Sequence, residues 1–159
     1  MLLLLRLVPL GPDMKKMMLV GKTGSGKTVL IKAVLGEKLD SKRTLSVEYC
    51  GPFVDTPGDY VENKRLYSAL LATAAECDFV GFVQDAAAVN SIFPPQFATM
   101  FNKKVMGIIT KADVRGCNLG RAEKFLRWAG AVKIVTTSSM ETMGIETLRS
   151  YLNLGCGNR

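Results

Sequence analysis

The residues from Gly21 to Thr28 read Gly-Lys-Thr-Gly-Ser-Gly-Lys-Thr. Their spacing fits G-x-x-x-x-G-K-[ST] at every fixed position, a pattern whose backbone N–H groups turn inward and cradle phosphates. In that reading Gly21, Lys22, Thr23, Gly24, Ser25, Gly26, Lys27, Thr28 and Val29 wrap the phosphates. Lys27 reaches the β- and γ-phosphates, and the Thr28 hydroxyl ligates Mg²⁺. Four further segments point the same way. Asp55-Thr56-Pro57-Gly58 offers a carboxylate for Mg²⁺ and, at Gly58, an N–H for a γ-phosphate where a side chain would crowd it. The Thr44 hydroxyl can complete the metal shell. In Thr110-Lys111-Ala112-Asp113, the aspartate can accept two hydrogen bonds from guanine's ring N–H and exocyclic amine, donors that adenine lacks. The Lys111 stem can pack on the base while its ammonium stays in water. Backbone N–H groups at Ser138 and Ser139 can reach guanine O6. The expected ligands are therefore Mg²⁺ with GTP or GDP, with ATP as the alternative.

Such residues work only if the fold brings them together. Met17 to Val20 is a short apolar run that predicts a buried strand, and Val29 to Leu35 predicts a helix closed by Gly36. Strand, glycine-rich turn and helix is the required setting, because the helix N-terminus adds partial positive charge. Further strands are expected at Ser46 to Cys50, Phe53-Val54, Phe79 to Val83, Val105 to Ile109 and Val132 to Val135. Between them, Leu66, Ala69, Leu70, Thr73 and Ala74 give one buried face to a helix over Glu62 to Ala75. Pro94-Pro95 opens a short helix, Ala122, Phe125, Leu126 and Ala129 mark another, and Ile145, Leu148 and Leu152 a last one. Alternating strands and helices predict an α/β three-layer sandwich around a mostly parallel sheet. In such sheets ligands sit beyond the carboxyl ends of the strands, where each candidate segment falls.

Composition narrows the chemistry. The 159 residues suit one domain, organised as residues 14–154 with a poorly ordered extension at 1–13 and a tail at 155–159. There is no histidine, which excludes Ser-His-Asp and Cys-His catalysis. The four cysteines form no C-x-x-C pair and fit a reducing cytoplasm. The leading Met1 to Leu10 run is too short to span a bilayer, so no membrane span is expected. A net charge of +7 is scattered in short clusters without an aromatic platform, which does not favour nucleic acid as partner. It does suit a polyanionic nucleotide.

The motifs GKTGSGKT, DTPG, TKAD and the Ser138-Ser139-Met140 loop stand in the order seen in Ras-like P-loop GTPases, which the chain resembles. That resemblance implies a six-stranded sheet and switch loops around Thr44 and Asp55 to Val61. Thr110 stands where that family more often has asparagine. From Met14 to about Asn153 the chain is also similar to the EutP/PduV family, through MLVGKTGSGKT, VDTPGDYVENKRLYSALLATAAECD, SIFPPQFATMFNKKVMGIITKAD and RAEKFLRWAGA. This resemblance implies a role in ethanolamine or propanediol utilisation, a cytoplasmic setting, and a bacterial microcompartment shell or enzyme partner. Many Ras-like enzymes place a glutamine after the DxxG glycine; here Asp59 takes that place, as a candidate catalytic residue beside Lys27. A carboxylate there repels a γ-phosphate, so the expectation is slow or partner-activated hydrolysis. The alternatives are a small phosphotransferase resembling an acetate kinase and a nucleotide-gated docking module.

Overall fold

The computed structural model describes residues 13–39 and 44–154. The expected extension up to residue 12 and the tail 155–159 lie outside the described residues. The apolar run Met17–Val20 forms β1, with all four residues buried. It runs parallel to β3 (Phe53–Asp55) on one side and β4 (Phe79–Asp85) on the other. Beyond β4 follow β5 (Lys104–Thr110) and β6 (Lys133–Thr136), both parallel. The opposite edge is β2 (Glu48–Cys50), antiparallel to β3. The order is β2-β3-β1-β4-β5-β6, the expected mostly parallel six-stranded sheet.

Because strand side chains alternate between faces, each buried strand feeds two cores. On β1, Met18 and Val20 join one core while Met17 and Leu19 join the other. On β5, Val105 and Ile109 share the first core, and Met106 and Ile108 the second. Helices α3 (Tyr67–Ala74) and α4 (Leu119–Trp128) cover the first face through Leu70, Ala74, Ala122 and Leu126. Helices α1 (Lys27–Leu35) and α5 (Ile145–Tyr151) cover the second through Leu30, Ile31, Val34 and Leu148. Each fully buried aliphatic side chain contributes about 1.5–3 kcal/mol, which fixes the three-layer arrangement. Among the described residues, no helix is long and apolar enough to cross a membrane.

Several boundaries differ from the sequence-based expectation. The single helix predicted from Glu62 to Ala75 is three pieces: α2 (Asp59–Glu62), a 3₁₀ turn (Lys64–Leu66) and α3. Asn63 makes the break. It is extended (φ −120°, ψ 113°), and its side chain accepts a hydrogen bond from the Arg65 N–H. A side chain that satisfies a nearby backbone donor competes with the helix. The strand expected from Ser46 starts at Glu48, and that expected from Val132 starts at Lys133. The strand expected to end at Val83 continues to Asp85. The helix expected at Pro94-Pro95 is a 3₁₀ turn over Phe97–Met100, because Gln96 adopts a left-handed φ of 59°. That segment fills the first core with rings. Phe93 stacks on Phe82 at 4.6 Å between centroids, and Phe101 meets Phe97 edge-on at 5.4 Å.

Candidate functional site

Helix α1 leaves β1 through six residues, and their backbone is special. Gly24 and Gly26 have φ of 82° and 97°, a left-handed conformation in which a Cβ is strained. The Ser25 N–H donates to the Lys22 carbonyl at 3.0 Å and tightens the turn. Lys27, the first residue of α1, is buried. Its ammonium donates to the Gly21 carbonyl at 2.8 Å and to that of Lys22 at 3.2 Å. Burial lowers its pKa, and the charges of Asp55 and Glu62 oppose that fall. Val29 lies half-buried in the first turn of α1.

At the first turn of α1, three oxygens converge. The Thr44 hydroxyl donates to Asp55 Oδ2 at 2.9 Å, the Thr28 hydroxyl donates to the same atom at 3.0 Å, and the two hydroxyls lie 3.2 Å apart. Asp55 ends β3 and is 1% exposed. Its Oδ1 is buried with no hydrogen-bond partner among the described residues. An orphaned carboxylate oxygen is costly unless a ligand or ion satisfies it. Burial raises the Asp55 pKa, while the Thr44 and Thr28 hydrogen bonds and the Lys27 charge lower it. Among the described residues no group of three His, Cys, Asp or Glu side chains could hold a metal. A cation here would take Asp55, the two hydroxyls and water or substrate oxygens. Hard oxygen donors with few protein ligands fit Mg²⁺.

The far side of the loop is braced from β5. The Thr110 hydroxyl donates to the Ser25 carbonyl at 2.5 Å and also faces the Gln84 carbonyl at 3.4 Å. The departure from asparagine thus retains a side-chain tie between strand and loop. Lys111 is left-handed (φ 59°), and its ammonium is bonded rather than free in water. It donates to the Gly24 carbonyl and to Asp85 Oδ2, each at 2.8 Å. Asp113 is exposed, and its Oδ1 accepts from the buried Ser138 hydroxyl at 2.7 Å. The Ser138 oxygen in turn accepts from the Glu141 N–H at 3.2 Å. The structure therefore joins Asp113 to Ser138 as one unit, linked to the loop through Thr110 and Lys111. Ser139 is half-buried beside it.

Gly58 lies against the loop so closely that a Cβ would sit 2.3 Å from both Thr23 N and Thr23 Oγ1. Asp59 follows as the first residue of α2 and is exposed. Sequence reasoning did not single out Asp85 or Glu62. Glu62 Oε1 accepts a hydrogen bond from the Thr23 N–H at 3.3 Å, so an α2 carboxylate touches the loop. The available signal was spacing, since residues three apart share a helix face. A cavity of about 190 Å³ opens beside the loop; its lining includes Lys22, Thr23, Gln84, Asp85, Asn90 and Ile92.

This arrangement has relatives. Residues 14–154 match the PduV-EutP family, described as ethanolamine utilisation – propanediol utilisation. The chain is 40% identical over 141 residues to the propanediol utilization protein PduV of Citrobacter freundii, covering 88% of this chain and 94% of that one. It is 28% identical over 142 residues to the probable acetate kinase EutP of Escherichia coli K12, covering 87% and 89%. The probable acetate kinase EutP of Salmonella typhimurium is 30% identical over 115 residues, covering 71% and 72%. With a six-stranded α/β fold and a family match across nearly all its described residues, the chain belongs to the PduV-EutP family of ethanolamine and propanediol utilisation.

Proposed function

We propose that this protein binds a purine nucleoside triphosphate with Mg²⁺, GTP in preference to ATP, and hydrolyses it slowly or on meeting a partner. The observation that carries this is the convergence of Thr28, Thr44 and Asp55, whose Oδ1 is buried without a partner, at the first turn of α1 beside the buried Lys27. The loop amides from Thr23 onward bind the phosphates, and Lys27 leaves the carbonyls of Gly21 and Lys22 to meet them. Asp55, Thr28 and Thr44 would hold the cation, which would supply positive charge to offset that of the triphosphate. Thr110 and Lys111 keep the loop in shape by their bonds to Ser25 and Gly24. Asp113, aimed by Ser138, reads the guanine edge, and Ser139 flanks it. Gly58 meets the γ-phosphate, and Asp59 stands where a water-positioning glutamine would be. Its charge slows attack until a partner supplies compensation. The setting is cytoplasmic and associated with a bacterial microcompartment, with a shell or enzyme component as partner.

Lys27→Ala tests the reading, because it removes the buried ammonium together with its stem. Equilibrium binding of a fluorescent GTP analogue with Mg²⁺ should weaken by about 100-fold or more, as for loss of a charge-assisted bond to phosphate. Unchanged binding would refute it. The EutP relatives carry the name probable acetate kinase, which favours a second reading: transfer of the γ-phosphoryl group to a short carboxylate. The cavity beside the loop is the place for such an acceptor. Trapping of an acyl phosphate with hydroxylamine, from triphosphate and acetate, would establish it; its absence would leave hydrolysis alone.

A further inference from the structure

We propose that Glu62 sets the preference of this site between nucleoside triphosphate and diphosphate, by holding a carboxylate on the loop amide that a γ-phosphate oxygen would take. The inference rests on the nucleotide reading above. Its ground is the bond from the Thr23 N–H to Glu62 Oε1, at 3.3 Å, which joins residues 39 apart in sequence. The contact is built into the fold. Gly58 presses α2 onto Thr23 at a distance that leaves no room for a Cβ. Asn63, extended and turned to cap Arg65, ends the helix directly after Glu62. Glu62 thus projects from the last residue of a four-residue helix whose start is clamped on the loop.

Charge decides what this does. The Glu62 carboxylate acts electrostatically on the Lys27 ammonium, so it partly supplies the negative charge that a phosphate would bring. A diphosphate ends before the γ-position and can coexist with Glu62. A triphosphate brings a second anion to the same amide and the same ammonium. Like charges so placed repel, and the carboxylate must leave. Because Glu62 is exposed at the end of α2, which is broken from α3 at Asn63, its side chain can swing away without unpacking Leu70 and Ala74. Triphosphate binding is thereby coupled to displacement of the Glu62 carboxylate from the Thr23 amide, while Gly58 keeps its place against the loop.

The test compares a non-hydrolysable β,γ-imido analogue of GTP with GDP, both with Mg²⁺, by calorimetry. The proteins are wild type, Glu62→Gln, which keeps the shape without the charge, and Glu62→Ala, which removes both. Glu62 is exposed, so neither change disturbs a core. Both variants should bind the triphosphate analogue about tenfold more tightly than wild type, the size of one charged hydrogen bond, with GDP affinity within about threefold. The gain should shrink as salt is raised. Unchanged triphosphate affinity, or an equal gain for GDP, would overturn the assignment while leaving the nucleotide reading intact. Failure of all three proteins to bind either nucleotide would overturn both.

Discussion

Replacing Thr110 with valine removes one hydroxyl from a buried place and changes little else. In the native protein that hydroxyl donates to the Ser25 carbonyl at 2.5 Å. Thr110 and Ser25 are each 4% exposed, so water does not stand in for the lost donor. A buried acceptor left without its partner costs about 1–3 kcal/mol. At this chain length each kcal/mol lowers Tm by about 2–4 °C. The larger consequence is at the loop. Ser25 lies in the turn between Gly24 and Gly26, whose left-handed backbone sets the direction of the loop amides proposed to hold the phosphates. With the tie gone, that turn becomes one conformation among several, and triphosphate affinity should fall by roughly tenfold, the equivalent of 1.4 kcal/mol. Thr110→Ser retains the hydroxyl and should recover most of the affinity while losing a methyl's worth of packing. Differential scanning fluorimetry reads the first effect and titration with a fluorescent GTP analogue the second. The reasoning is refuted if Thr110→Val binds like wild type, or if Thr110→Ser is as impaired as Thr110→Val.

Two further substitutions probe the neighbouring parts. Burial raises the Asp55 pKa, so the folded protein holds that proton more tightly than the unfolded chain. The group's contribution to stability is therefore fullest below the unfolded carboxylate range and is lost as pH rises through the folded value. Asp55→Asn should raise the Tm of the metal-free protein at pH 7, flatten this part of its pH dependence, and abolish stabilisation by Mg²⁺ with GTP. A lower metal-free Tm across the whole range would contradict the sign. At Gly58, alanine would bring a methyl within 2.3 Å of Thr23 N and Oγ1. Helix α2 must then shift, at a cost on the order of 1–3 kcal/mol. Hydrogen exchange should quicken at residues 59–62 and stay unchanged in β4 and β5; native-like protection in α2 would rule the clash out.

The legible parts of this molecule were those written in short stretches. The loop from Gly21 to Thr28 declares its turn through Gly24 and Gly26, and the apolar runs of β1, β4 and β5 declare buried strands. The break at Asn63 was not legible. The apolar face runs from Leu66 to Ala74, and the decision falls to one side-chain bond to the Arg65 N–H. Contacts between distant segments were hidden for another reason. Lys111 and Asp85 meet because β4 and β5 pair with Asp85 opposite Thr110, a register that no local pattern states. The FPPQF segment marked the family in sequence, yet in the fold Phe93 and Phe97 serve to pack Phe82. The Glu62 contact was obscured by Asp59, which occupies the more conspicuous position after Gly58.

The central claim is a Mg²⁺-dependent site that prefers guanine through Asp113. It is tested most directly by titrating GTP, ATP and XTP against the wild-type protein and Asp113→Asn. In the proposed function the Asp113 carboxylate, which accepts from the Ser138 hydroxyl at 2.7 Å, also accepts from guanine's two donors. A carboxylate-to-amide change turns one acceptor into a donor, which suits the second carbonyl of xanthine. Wild type should bind GTP at least tenfold more tightly than ATP or XTP, with XTP overtaking GTP in Asp113→Asn. Equal affinities for GTP and ATP in wild type, unchanged by the substitution, would contradict it.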